Sequence, residues 1–539
     1  MNTAFATVVA LLALGGAGFV PVAGAVGARW VVVPLAPLGG AVLAAVAATA
    51  SLSFGGALAS WFVGLAVVAA LVVFAIWVTR PELGPWAGAP VSRRTGRRRH
   101  RLVGVVGFLA VVVSCAWCLR GLRSPTVGFD ARALWVMRPG WFLQSHAQLL
   151  IDMKSRGLVL TQSAYPPLVS ASVAVAWHVT GVHTARLGVT TVAVLNICVL
   201  AAAALAVVEC GRDAALRLAR GSDDTSALSE GSGDAGSAEG AVGDRPIRGG
   251  GVVVDRRPPW TPMVVGVVAG VLLVFVAAGV TEPFLTNGYA DPIWSLAAVG
   301  AVAFGLQSRS QRSTRAAAAV LILVAGLSKN EGFVTALALV GLVAARSIGW
   351  EGVRAGWRRW VVPVGTAAAE LVLLVWWPLL MHVIDARGAT STFSASTDLG
   401  SRTTAVVHGM SPDLHVLVLA LPLSIVGGLA LTSARRRAGV GNDVWAWLAL
   451  AVGLVAVGAA LVTGSGAILP WIRSTVHRIT EFPILEGWWI IGVWAVVAGS
   501  SLPGRRASDR LAAPPEVPSR IIGGADPPAA VEPAVGAVR

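Results

Sequence analysis

The sequence predicts an all-α polytopic membrane protein with about thirteen transmembrane helices, and three observations carry that prediction. Apolar residues make up 55% of the chain and charged residues only 13%, roughly half the charged share of a soluble domain. Apolar runs of about 17–25 residues, the length that crosses a bilayer as helix, recur from end to end. The runs lack the two-residue alternation over ten-residue segments that a membrane barrel needs.

Taken in order, the spans are read at 3–24, 31–50, 59–79, 102–119, 185–208, 261–280, 292–307, 316–328, 332–345, 360–381, 413–432, 444–463 and 484–500. The first lies in the N-terminal stretch MNTAFATVVALL and beyond, which has no basic n-region, so it reads as a retained helix rather than a cleaved signal. Residues 166–180 open with Pro166 and Pro167 and are short for a span. An interfacial or re-entrant helix is expected there. The chain then divides into a three-helix membrane segment with its basic loop (1–101), a core segment (102–208) with the large loop 120–165, a low-complexity linker (209–260), the remaining membrane core (261–500) and a tail (501–539). Residues 220–250 are rich in Gly, Ser, Asp and Ala and cannot bury enough surface to fold alone. The Pro/Ala/Gly-rich tail reads the same way.

The net charge of +15 points to membrane orientation rather than nucleic acid. Loops 80–101, 209–257, 309–315, 346–359, 433–437 and the tail hold roughly three times as many basic residues as the alternate set, which marks them as cytoplasmic. Loops 120–165, 281–291, 382–412 and 464–483, and the turn at 329, therefore face outward. Cys115 and Cys118 form a CxxC inside an apolar helix, where packing explains them better than redox chemistry. Arg far outnumbers Lys, and Ala, Val and Gly abound, a bias of GC-rich bacterial genomes.

What the composition makes scarce collects in the outward segments. The chain has two lysines, Lys154 and Lys329, and two tyrosines, Tyr165 and Tyr289, and all four lie there. The stretch AGLSKNEGFV sets Lys329, Asn330 and Glu331 between two apolar runs. Asp130 follows a span by about eleven residues. Trp135, Trp141 and Phe142 are spaced for interfacial helices, where aromatic rings settle. The loop TEPFLTNGYADP carries Glu282 and Asp291, and LPWIRSTVHRITEFP carries Arg473, His477 and Arg478. Ionisable groups at membrane depth are costly and usually functional. Carboxylates serve as general bases, and Lys, Arg and protonated His hold phosphate. This set suits an acceptor hydroxyl attacking a carbon bonded to a phosphate leaving group, with apolar helices around a lipid tail.

The order of these pieces resembles the GT-C glycosyltransferases, multi-spanning enzymes that use polyprenyl-phosphate sugars, and within them the relatives of protein O-mannosyltransferase and aminoarabinose transferase. The pieces are GFDARALW with Asp130, Lys154 later in the same loop, YPPL from Tyr165 to Leu168, GYADP with Asp291, SKNEG with Lys329, and STVHR with His477 and Arg478. They cover about 120–335 and 465–490. The three N-terminal spans and the low-complexity loop fall outside the pattern, and no large soluble C-terminal domain follows. The resemblance implies an actinobacterial, inverting, mannosyl- or arabinosyltransferase-like enzyme of the plasma membrane with its site facing outward. It implies Asp130 as the base, with Asp291 in the catalytic set, and Lys154, Lys329, His477 and Arg478 on the donor phosphate. Tyr165, Tyr289 and Glu331 would line the substrate. The partners implied are a polyprenyl-phosphate sugar donor, a glycan, lipid or protein acceptor, and the bilayer.

Each side chain also has a plain structural reading. Asp130 would cap a helix or pair with Arg132, and Asp291 would open the next helix, since Asp-Pro suits a first turn. Lys329 would snorkel or pair with Glu331. Lys154, His477 and Arg478 would be solvated, and both tyrosines would sit in an aromatic belt. His382, His408 and His415 form no metal set. No cofactor is predicted, and a divalent metal stays open. The rival function is a transporter or flippase of a lipid-linked envelope precursor, and a catalytically dead scaffold is a third.

Overall fold

The computed structural model describes residues 2–26, 30–79, 94–123, 127–128, 131–155, 164–230, 261–282, 284–307, 312–354, 360–386, 399–411, 414–430, 444–463, 478 and 480–499. Among them every regular element is helical. Six helices are long and apolar enough to cross a membrane, or seven if a bent pair counts as one span, and six shorter apolar helices accompany them. The protein is thus a helical multi-pass membrane protein, and the count of thirteen is not reached by length and composition. Helices do fall on all thirteen expected stretches.

The centre is α9 (Asp291–Val302), all twelve residues of which are buried. It packs against α7 (Ala185–Glu230), α10 (Arg312–Ser328), α11 (Asn330–Arg354) and α16 (Glu481–Gly499). Small residues let these helices approach, as is usual in membrane bundles. At Gly332 a Cβ would lie 2.2 Å from the Ala325 carbonyl oxygen, so α10 and α11 fold back as a hairpin only because nothing projects there. Lys329 is the single non-helical residue at its tip. Around this centre lie α8 (Thr261–Thr281), α4 (Arg94–Cys118) and α12 (Val361–Val383). The buried residues of α12 are Pro363, Glu370, Leu374, Trp377 and Met381, one stripe of helical period. Farther on, α14 (His415–Ala430) and α15 (Val444–Thr463) pack on α16, and α13 (Leu399–Met410) on α15.

At the N-terminus, α1 (Thr3–Val26) and α2 (Val32–Phe54) form a close hairpin that also packs on α7 and α10. These two helices share the core of the bundle. By contrast α3 (Leu58–Thr79) buries only Leu58 and Phe62.

Three expectations change. The stretch 166–180 forms α6 (Leu168–Thr180), whose residues from Leu168 to Trp177 are all buried among α1, α2, α7 and a 3-10 turn at Arg138–Leu143. Covered on its faces by protein, it is not a free helix on the surface of the bundle. Loop 120–165 does contain short helices, including single turns at Ala131–Val136 and Arg138–Leu143 and α5 (His146–Lys154). Yet Trp135, Trp141 and Phe142 are buried in the protein rather than facing out as a belt. The spacing that serves an interface also serves a core. Finally, α7 stays helical to Glu230, into the stretch read as linker. The residues AALRLAR are good helix formers and carry the helix past the apolar run. The rest of the linker and the tail 501–539 lie outside the described residues.

Candidate functional site

The site begins where α9 begins. The loop before it is pinned from α7, since the Asn196 side-chain amide donates to the carbonyl oxygens of Leu285 (3.0 Å) and Tyr289 (3.3 Å). Gly288 has φ 91°, a conformation open to glycine, and a Cβ there would meet the Ala131 Cβ at 2.9 Å. Gly128 donates its backbone N–H to the Asn287 carbonyl at 3.2 Å. The two loops are thus locked together, and the chain enters α9 at Asp291, where the helix N-terminus favours a negative charge.

Three distant segments meet on that carboxylate. Lys329 Nζ lies 2.5 Å from Asp291 Oδ1, and Arg478 Nη2 donates to Asp291 Oδ2 at 3.0 Å. Lys329 Nζ is also 3.5 Å from Glu331 Oε1. Asp291 is 1% exposed, Lys329 3% and Arg478 15%, so solvent screens the pairs little. The Arg478 guanidinium lies 4.6 Å from the Tyr289 ring centre and 5.7 Å from that of Phe284, contacts of cation–π type. Burial by itself pulls the Lys329 ammonium down from the ordinary lysine range. Asp291 and then Glu331 outweigh that effect and hold the ammonium above the ordinary lysine range.

Tyr165 lies within electrostatic reach of the cluster. Its ring meets Trp135 edge-on at 5.8 Å, and its carbonyl accepts from the buried Arg138 Nη2 at 2.9 Å. Burial first, and the charge of Glu331 next, raise its phenol above the usual range, so it stays a hydrogen-bond donor. Lys329, Asp291 and Arg478 act on it as well.

Of the residues singled out in the sequence, Asp291, Lys329, Glu331, Arg478, Tyr165 and Tyr289 come together. Both tyrosines are half-buried. Lys154 does not join them. It is exposed at the end of α5, beside Met153, which packs into a separate apolar cluster with Trp377 and Met381. Asp130 and His477 lie outside the described residues, although Gly128 and Ala131 flank Asp130 and both touch the 287–289 turn. Glu481 belongs to the site and was not singled out, because an acid opening an apolar run looks like an ordinary first-turn residue. Asn196 left a clearer signal, an amide alone in an apolar span.

Both Asp291 oxygens are engaged by cations, which favours its charged form. What it does is aim an ammonium and a guanidinium at one point. Among the described residues no group of three or more His, Cys, Asp or Glu stands close enough to hold a metal ion. No family model, curated protein or solved structure matches the chain.

Proposed function

We propose that this protein is an inverting glycosyltransferase of the plasma membrane, moving a sugar from a polyprenyl-phosphate donor to a cell-envelope acceptor at the outer face. The observation that carries the reading is the meeting of Lys329 and Arg478 on Asp291 from segments 38 and 187 residues away. Two cations braced by one carboxylate are suited to a phosphate, and fixed counter-charges facing developing charge are usually the largest catalytic contribution. The acceptor hydroxyl would attack the anomeric carbon and give its proton to Asp130. The carbon–oxygen bond to phosphate would break, its electron pair leaving on the phosphate beside Lys329 and Arg478. Asp291 would hold the two cations rather than act as base. Tyr165 would donate to a substrate oxygen. Depth also favours this reading. Residues Asp291–Leu306 form a short apolar helix, about 24 Å long at 1.5 Å per residue, against a hydrocarbon core of about 30 Å. Its N-terminus can therefore sit below the surface, near a lipid headgroup.

The deciding experiment is a turnover assay of the purified protein with a panel of polyprenyl-phosphate sugars. Transfer or donor hydrolysis, lost in Asp130→Asn, is the expected result. No turnover with any donor, together with donor movement across proteoliposomes, would establish the rival transporter. One observation favours that rival: Glu370 and Glu486 are buried in apolar helices, and intramembrane acids often mark transport paths.

A further inference from the structure

A second carboxyl lies one turn inside the cluster. Ser295 Oγ is 2.9 Å from the carbonyl oxygen of Asp291, 3.4 Å from that of Pro292 and 3.2 Å from Glu481 Oε2. A serine hydroxyl owns one proton, and a carbonyl can only accept. Ser295 Oγ can give that proton to Glu481 Oε2 or to a carbonyl of its own helix, where the contact with the Asp291 carbonyl is the shortest. While it bonds that carbonyl, Glu481 receives no hydrogen bond from Ser295 and can complete the contact only by donating a proton of its own. Glu481 is fully buried, and its Oε1 has no hydrogen-bond partner among the described residues. An ionised carboxylate in that position would have at most the Ser295 hydroxyl as donor, fewer than a buried charge requires.

The charged groups facing it agree. From α9 comes Asp291, a like charge. From the α10–α11 tip comes Lys329, and from the segment before α16 comes Arg478, and both make their ion pairs with Asp291. The other helices packed on α16, namely α7, α8, α14 and α15, bring no charged side chain to bear on Glu481 among the described residues.

We propose that Glu481 carries a proton, and that this proton keeps the Asp291–Lys329–Arg478 cluster open to a phosphate group. The inference rests on the function proposed above and adds a positioning residue to it. Asp291 and Glu331 balance Lys329 and Arg478. A third negative carboxyl would leave the pocket net negative, repel an entering phosphate and compete for the two cations. Phosphate binding is therefore full while Glu481 is protonated and falls as pH rises through its titration. Lys329 and Tyr165 are both held above their ordinary ranges and so keep their protons at neutral pH.

The experiment has two arms, both on the purified full-length chain in lipid nanodiscs. Infrared spectroscopy reads protonated carboxyl groups directly, and Glu481→Gln is expected to remove one such band at neutral pH. Farnesyl phosphate serves as the binding probe from neutral to alkaline pH. Wild type is expected to lose affinity on the alkaline side. Glu481→Gln, whose amide still donates to Ser295, is expected to bind on the order of tenfold more tightly than wild type there, the scale of one unit charge over about 10 Å at an effective dielectric near 20. The control Glu486→Gln should remove a carboxyl band without moving the alkaline fall. An unchanged infrared band in Glu481→Gln overturns the proposal, as does an alkaline fall shared by both proteins. Loss of binding at every pH in a folded Glu481→Gln overturns it too, because the charged form would then be the one in use. If farnesyl phosphate binds wild type at no pH, the phosphate site itself is refuted, while the infrared arm still decides the proton.

Discussion

Asp291 and Glu486 are both carboxyls buried in the bundle, at 1% and 0% exposure, and they differ in everything else. Asp291 places one oxygen on Lys329 and the other on Arg478. Neither oxygen of Glu486 has a hydrogen-bond partner among the described residues. The first is a charge that the fold has built partners for. The second is tolerated as a neutral acid, since an isolated buried charge costs far more than a helix can supply. Burial of an ionisable group therefore says little by itself. The partners determine whether it has been placed for chemistry.

The largest effect is expected from Asp291→Ala, which removes the carboxylate that Lys329 and Arg478 share. Breaking a buried ion pair typically costs about 3–5 kcal/mol, and the value here should fall near the low end because Arg478 is partly exposed. Thermal unfolding in detergent checks it, and a loss below about 1 kcal/mol, the scale of a surface pair, would break the contrast with Glu486. Next comes Lys329→Met. Losing a charge-assisted contact of about 1.5–3 kcal/mol should weaken farnesyl phosphate binding roughly tenfold or more. Lys329→Arg should recover only part of this, because charge returns without the same geometry. Equal affinity in the three proteins would separate Lys329 from the phosphate.

A smaller effect is expected from Gly332→Ala, whose methyl would strike the Ala325 carbonyl. Forcing an extra carbon into packed structure costs about 1–3 kcal/mol, seen as a lower unfolding temperature. This sharpens the comparison by showing how firmly the hairpin tip that carries Lys329 is held. The smallest effect is expected from Glu486→Gln, within about 1 kcal/mol, since one neutral group replaces another. A cost rivalling that of Asp291→Ala would mean that Glu486 is ionised with a partner and would strengthen the transporter reading.

Much of the site was legible because rarity has a cause. In a chain that is 55% apolar, a lysine beside an acid between two spans stays only if something compensates for it, and Lys329 stood out for that reason, while Asp291 and Arg478 stood out as charges at the ends of apolar runs. The same logic misled at Lys154, which is equally rare yet exposed. Rarity marks a residue as unusual but not where it points. It also passed over Glu481 and Ser295. A serine on an apolar helix has many plain uses, and its contact with Glu481 spans 186 residues. The aromatic rings of loop 120–165 were placed at the interface because periodicity cannot tell an inward from an outward face when both surroundings are apolar.

The sequence by itself determined the class of structure. Long apolar runs must satisfy their backbone groups internally, and helices do so without reference to the rest of the chain. Tertiary structure decided which helices meet protein. Of two neighbours near the N-terminus, α3 is the more apolar, yet it buries two residues, while α2 is buried along nearly its whole length. Lipid and protein interior are alike to an apolar side chain, so hydropathy cannot choose between them. The choice is made by close packing and by paired charges, such as Lys329 and Arg478 on Asp291, which exist only once distant segments have come together.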